Sequence, residues 1–192
     1  MATVVVLAGG MSKRMGRDKL ELTLGGQTLL ESIVCRFRES FEDVVISVSD
    51  PDKYSCVSGP RVIDILPGAG PLSGLHAALT LIPYGGVFLV AADLPYACPR
   101  AAKRIIELCG DKDACIIRHS GTKLEPLFGY YKKSLLRPCE EAITSGDYRM
   151  SAILADAGTR YVTPYELGEL WDEKLILNIN YPEDYEKARN IL

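Results

Sequence analysis

The chain has 192 residues, of which 47% are hydrophobic and 24% charged, with a formal net charge of −3. That is enough apolar material for one well-filled core, so a single domain spanning 1–192 is expected. The acidic balance disfavours nucleic acid or an anionic membrane surface as a partner, no apolar run approaches the roughly 18 residues that span a bilayer, and the stretch from Met1 to Leu7 lacks the basic region of a signal peptide, so a cytoplasmic chain is expected.

Short β-branched runs recur at Thr3–Leu7, Val44–Val48, Val62–Ile65, Val87–Ala92 and Ala114–Ile117. Helix-like stretches at 29–41, 71–82 and 99–109 lie between several of them. Such alternation predicts an α/β fold, a three-layer arrangement with a mainly parallel twisted sheet and helices on both faces. The run Val87–Ala92 is apolar at every position, as a central strand covered on both faces requires. Further along, Glu125–Tyr131 reads as a strand, 132–145 as a helix, and 151–155 as a short helix. Arg160–Thr163 and Lys174–Leu177 read as short strands. Pro182-Glu183-Asp184 opens a last helix, with proline and acids in its first turn.

In such folds ligands sit beyond the carboxyl ends of the strands. The first strand runs into Leu7-Ala8-Gly9-Gly10-Met11-Ser12-Lys13-Arg14-Met15-Gly16-Arg17-Asp18-Lys19. Gly9 and Gly10 allow a tight turn and close approach of the backbone to a ligand, and exposed amides there can form an anion nest. Lys13, Arg14, Arg17 and Lys19, less Asp18, give a local charge of +3 in a chain of net −3. The spacing is that of neither a Walker A loop nor the Gly-x-Gly-x-x-Gly fingerprint. From composition the loop is a phosphate cradle of another kind or a solvated basic turn.

Asp93 follows the most apolar strand and is followed by Leu94-Pro95. A carboxylate there suits magnesium, which takes one or two carboxylates plus phosphate oxygens, or it caps a turn. The six cysteines contain no Cys-x-x-Cys pair and there are two histidines, His76 and His119, so a zinc site is not expected. The cysteines read as buried free thiols, and His76, among Leu75, Ala77, Ala78 and Leu79, as a core histidine.

The segment Leu7, Ala8, Gly9, Gly10, Arg14, Met15, Gly16, Asp18, Lys19 resembles, in register, the first loop of the molybdenum cofactor guanylyltransferases. Ala92-Asp93-Leu94-Pro95 is similar to the family's Asp-x-Pro segment, and the resemblance implies magnesium on Asp93. Asp64-Ile65-Leu66-Pro67-Gly68-Ala69-Gly70-Pro71-Leu72-Ser73-Gly74 resembles its Pro/Gly-rich stretch, which implies that Asp64 contacts the guanosine of GTP, with Gly70 close by. Guanine offers N–H donors that a carboxylate or backbone carbonyls can read. Ser47 stands where family members often carry Asn on the nucleoside, and its reach is shorter. Asn178-Ile179-Asn180-Tyr181-Pro182-Glu183 resembles the family's tail, where Asn178 and Asn180 bond the acceptor or cap the last helix. Glu125-Pro126-Leu127-Phe128 resembles a segment on the acceptor side and is assigned no chemistry.

The resemblance implies a Rossmann-like nucleotidyltransferase fold and transfer of GMP from GTP to molybdopterin. Leu7, Ala8, Gly9, Gly10, Lys19, Ser47, Asp64, Gly70 and Asp93 would bind GTP, and Arg14, Lys19 and Asp93 would act in catalysis. Mg²⁺ is the implied cofactor. A monomer is expected, with room for transient contact with other proteins of cofactor biosynthesis. Alternatives are a sister enzyme using CTP, a sugar-phosphate or isoprenoid-type nucleotidyltransferase, and a GTP-binding regulator without catalysis.

Overall fold

The computed structural model describes residues 2–9, 18–83, 85–155 and 157–189. In chain order the elements are β1 (Thr3–Leu7), β2 (Thr23–Leu24), β3 (Gln27–Thr28), α1 (Leu29–Arg38), β4 (Val44–Val48), β5 (Arg61–Ile63), α2 (Pro71–Leu81), β6 (Gly86–Ala91), α3 (Pro99–Cys109), β7 (Ala114–His119), β8 (Lys123–Lys132), α4 (Leu136–Ser145), α5 (Met150–Ala155), β9 (Thr159–Val162), α6 (Pro164–Leu167) and α7 (Pro182–Arg189). Seven strands form one sheet in the order β5-β4-β1-β6-β8-β7-β9, and β2 with β3 makes a small hairpin. All neighbours in the large sheet are parallel except β8, which runs antiparallel to both β6 and β7.

Alternation along the strands divides the core in two. Val4 and Val6 of β1, Phe88 and Val90 of β6, and Cys115 and Ile117 of β7 face α1 and α3. Val5 and Leu7, Val87 and Leu89, and Ala114 and Ile116 face α2, α4 and α5. The central strands are thus buried on both faces, which is why they read as unbroken apolar runs. Helix α1 starts on a capping box: Glu31 N donates to Thr28 Oγ1 at 3.2 Å, and Thr28 N donates to Glu31 Oε2 at 2.9 Å. Among the described residues no helix is long and apolar enough to cross a membrane.

Several expected boundaries shift. Helix α1 ends at Arg38, not 41, because the chain turns out through bonds from Ser40 N and Phe41 N to Phe37 O. The expected helix 132–145 begins only at Leu136, since Lys132 still belongs to β8 and Lys133–Leu135 form a 3₁₀ turn. The expected strand Lys174–Leu177 is instead a 3₁₀ turn, Glu173–Ile176. Asp172 accepts the Lys174 amide at 2.9 Å and winds the chain, leaving Leu175 buried in the core.

Candidate active site

The strand order fixes where a ligand can enter. From β1 the sheet grows through β4 and β5 to one side and through β6 to the other, so the order reverses between β1 and β6. Those strands pair up to Leu7 opposite Ala91. Ala8 N still bonds Ser47 O at 2.9 Å and Ala92 N bonds Leu7 O at 3.1 Å. Beyond those bonds both chains leave the sheet and open a crevice at the carboxyl edge.

Three distant segments meet there. Lys19 Nζ donates to Asp93 Oδ2 at 2.5 Å and to Asn180 Oδ1 at 3.0 Å. Both partners of the ion pair are only 17% exposed, so charge attracts there more strongly than at an open surface. The tail is tied in by its backbone as well, with Ile179 N donating to Asp93 O at 3.0 Å. Asp184 accepts the amides of Asn180 and Tyr181 at 3.1 and 3.0 Å and so starts α7. Asp93 Oδ1 is buried and has no hydrogen-bond partner among the described residues. Oδ1, without a partner while Oδ2 of the same carboxylate and the Asn180 amide oxygen converge on an ammonium, is a hard oxygen donor that suits a cation. Asp93 therefore offers an oxygen donor of the kind Mg²⁺ takes. Among the described residues no group of three or more His, Cys, Asp or Glu offers an all-protein metal cage.

Lys19 is set in place by its neighbour. Asp18 Oδ1 accepts from Leu20 N at 3.1 Å and caps the 3₁₀ turn Lys19–Glu21. Its Oδ2 takes the Tyr54 hydroxyl at 2.7 Å and Lys53 Nζ at 2.6 Å. Burial pushes the Asp18 carboxyl up, but the bonds from Lys53, Tyr54 and Leu20 outweigh it and hold it below its ordinary value. Lys53 is raised by the same bond. Tyr54 is pushed up to about 12, by burial first and by the bond to Asp18 second. Tyr54 has φ 57, unusual for a bulky residue. Arg61 holds it there, bonding Tyr54 O at 2.6 Å and Val57 O at 3.0 Å.

On the β4–β5 side the segment after β5 leads into α2. Gly70 takes φ 60, ψ −135 as the residue before Pro71, a conformation closed to side chains. Ser73 Oγ accepts from Ala69 N at 3.0 Å and shapes the turn. Asp64 follows β5, its amide bonded to Val48 O at 3.2 Å, and burial raises its carboxyl pKa. Ser47 is buried, and a Cβ on Gly74 of α2 would sit 2.6 Å from its Oγ and 2.6 Å from Leu7 Cδ2. In this arrangement α2 packs on the ends of β1 and β4 with Gly74 against the side chains of Leu7 and Ser47.

Residues 4–162 match the family model described as MobA-like NTP transferase domain. The chain belongs to the MobA-like NTP transferase family. Among curated relatives of this family, the probable molybdenum cofactor guanylyltransferase of Pelotomaculum thermopropionicum is 35% identical over 98% of this chain and 92% of its own. That of Aquifex aeolicus is 34% identical over 96% and 89%. Among solved structures, molybdopterin-guanine dinucleotide biosynthesis protein A from Archaeoglobus fulgidus superposes with a TM-score of 0.86 at 30% identity, covering 98% and 97% of the two chains. The cytidylyltransferase acting on 2-C-methyl-D-erythritol 4-phosphate in Thermus thermophilus shares the fold, with a TM-score of 0.68 at 17% identity. The chain is thus a nucleotidyltransferase by family.

Within this MobA-like frame the sequence-derived residues fall as follows. Lys19, Asp93 and Asn180 come together. Leu7, Ala8 and Gly9 stand at the end of β1, and Ser47, Asp64 and Gly70 lie on the β4–β5 side of it. Asn178 lies in 177–180, which has no regular structure, and its side chain makes no hydrogen bond among the described residues. Gly10 and Arg14 lie outside the described residues. Sequence reasoning missed Lys53 and Tyr54, because nothing local marks a contact 36 positions from Asp18. His76 is a buried residue of α2, 3.5 Å from Glu140 Oε1. The cysteines differ from expectation in part. Cys109, Cys115 and Cys139 are buried, with burial pushing Cys115 and Cys139 up to about 12, whereas Cys35 and Cys56 are exposed on the outer side of α1 and on the β4–β5 connection.

Proposed function

We propose that the chain transfers GMP from GTP to the phosphate of molybdopterin, releasing pyrophosphate and forming the molybdopterin guanine dinucleotide. The observation that carries this reading is the junction of Lys19, Asp93 and Asn180 at the point where the strand order reverses. It supports a site where anionic partners are brought together, and the relatives of near-full length named as guanylyltransferases support the choice of substrates.

Nucleotidyl transfer is an in-line displacement at the α-phosphorus. The acceptor is an ionised phosphate oxygen, so no strong general base is required, and neutralising and aligning the two anions carries the catalysis. The loop from Leu7 through Gly10 would hold the triphosphate with its amides. Lys19, joined by Arg14, would place positive charge on the triphosphate and the departing pyrophosphate. Among the described residues nothing lies within 4 Å of where a Cβ on Gly9 would stand, which leaves its backbone approachable by phosphate oxygens. Asp93 would hold Mg²⁺ through Oδ1, and the metal would supply Lewis-acid charge to the phosphoryl group. Ser47, Asp64 and the backbone at Gly70 would receive the nucleoside. Asn178 and Asn180 would receive the acceptor on the other side of Asp93. One domain holds the whole reaction, a monomer suffices for it, and the cytoplasm is where GTP is supplied.

Competition among GTP, CTP and ATP, with Mg²⁺ and molybdopterin, tests the donor. The reading expects pyrophosphate release and a dinucleotide product with GTP preferred over the other two. A preference for CTP would move the chain to the sister activity. GTP binding with no pyrophosphate from molybdopterin would make it a regulator.

A further inference from the structure

The β7–β8 hairpin carries a built side-chain cluster that the reaction described above does not use. His119 ends β7, and its Nε2 lies 2.9 Å from Glu125 Oε1 on β8. Its Nδ1 lies 3.3 Å from Ser120 Oγ, so both ring nitrogens are engaged. Ser120 takes φ 43 and Gly121 φ 81 in the turn between the strands, and a left-handed serine here brings its hydroxyl back to the imidazole. The ring also packs against Trp171 at 5.9 Å between centroids.

The strand around Glu125 is shaped as well. The β7–β8 register shifts between Ile116, opposite Gly129, and Ile117, opposite Glu125, so β8 carries an irregularity through Pro126–Phe128. The fully buried Tyr131 pins that segment, its hydroxyl donating to Pro126 O at 2.6 Å. Bulges of this kind re-aim side chains next to sites. Glu125 is 23% exposed, and its Oε2 has no hydrogen-bond partner among the described residues.

The topology places this carboxylate at the active edge. Strand β7 runs in the same direction as β6, so His119 is at the edge that bears Asp93. Strand β8 runs the other way and lies directly beside β6. The last pair between them is Val90 with Phe128, so Glu125 lies on β8 past the carboxyl end of β6. The segment that leaves Trp171 at His119 continues to Asn180 at Lys19, linking the two clusters. The nucleotide residues lie on the β1, β4 and β5 side of Asp93, and in-line attack requires the acceptor on the other side, toward β8.

We infer that Glu125, oriented by His119, is the acceptor-recognition residue of the site and takes the paired N–H donors of a fused pyrimidine ring. A pterin carries a ring N–H and an exocyclic amino group side by side, and a carboxylate matches them with two parallel bonds. A fixed negative charge also repels a phosphate or a second triphosphate, which keeps the ring, and not an anion, at this position. His119 is a positioning residue: it fixes the direction of the carboxylate and touches no substrate.

This inference rests on the reading of the acceptor as molybdopterin. The test is steady-state kinetics with GTP and molybdopterin for the wild type, Glu125→Gln, Glu125→Asp and His119→Asn. The amide of Gln turns a donor toward a donor, so Glu125→Gln should raise the KM for molybdopterin ~10-fold or more while the KM for GTP stays within about 2-fold. Glu125→Asp keeps the charge and should recover part of the loss, and His119→Asn should give a smaller rise confined to the same substrate. An unmoved KM for molybdopterin in Glu125→Gln and His119→Asn, or equal shifts for both substrates, overturns the inference while leaving guanylyl transfer standing. A wild-type chain that makes no guanine dinucleotide overturns the functional reading and the inference with it.

Discussion

Lys19 and Asp93, separated by 74 positions, form a part-buried ion pair of 2.5 Å across the gap between β1 and β6. Each residue follows a strand of the sheet centre, and each stands where a ligand would otherwise have to supply the opposite charge. The ammonium thus lies against Oδ2 of Asp93, beside the Oδ1 proposed to hold the metal.

Replacing Lys19 by Ala leaves Asp93 part-buried without its cation and strips the loop of a phosphate partner. The expected outcome is a fall of ~10²-fold or more in kcat/KM for GTP, with weaker GTP binding by titration calorimetry. Unchanged GTP affinity would show that Lys19 serves only to hold Asp93. Lys19→Arg should recover little, because the longer planar group cannot bond both Asp93 and Asn180 in the same way.

Gly74 tests the packing beneath the site. A Cβ there meets Ser47 Oγ and Leu7 Cδ2 at 2.6 Å each, so in Gly74→Ala either those two side chains move or α2 backs off the ends of β1 and β4. A loss of about 1–3 kcal/mol is expected in urea unfolding, together with a raised KM for GTP. Wild-type stability would mean that Ser47 and Leu7 yield without cost and that the packing does not depend on Gly74.

The bonds to Asp18 set a pH dependence. Its folded pKa lies below the ordinary 3.8 despite the opposing effect of burial. The group binds its proton less readily when folded, so its contribution to stability is complete above about pH 4 and is lost as the pH falls through the lowered folded value. Asp18→Asn should therefore be less stable than wild type at pH 7, and the gap should close as the pH falls below the ordinary 3.8, as measured by acid titration of urea midpoints. A gap that widens on acidification would contradict the assignment.

Tyr54→Phe removes one donor to Asp18 and keeps the ring. A cost of about 1 kcal/mol is expected, with a drop in kcat/KM for GTP that Lys53→Met deepens. Independent, additive effects of the two substitutions would argue against a shared hold on Asp18.

How much of this was legible beforehand follows from where the signals lie. Ala8, Gly9 and Asp93 stand at the ends of apolar runs, so pattern alone placed them at the strand ends of an α/β sheet, whereas Asp18 and Lys19 lie beyond the glycine-rich basic loop and were marked by its charge and its family register. The antiparallel β8 carries the apolar and aromatic signal that a parallel strand could equally carry, and its direction appears only from pairing with Val87–Val90. Leu175-Ile176-Leu177 is a short apolar run whose period suits helix or strand equally, and a single capping bond from Asp172 decides it. Asn180 was picked out as a ligand of the site, yet its meeting with Lys19 spans 161 positions. The hold of Lys53 and Tyr54 on Asp18, and of His119 on Glu125, depends on a left-handed tyrosine and a shifted register that no propensity foretells.

The most direct test of guanylyl transfer is to follow GTP labelled at the α-phosphate in the presence of Mg²⁺ and molybdopterin. The account predicts label in the molybdopterin guanine dinucleotide, unlabelled pyrophosphate in equal amount, and loss of both in a folded Asp93→Ala protein. Label that never enters a dinucleotide, or wild-type turnover in Asp93→Ala, would contradict it.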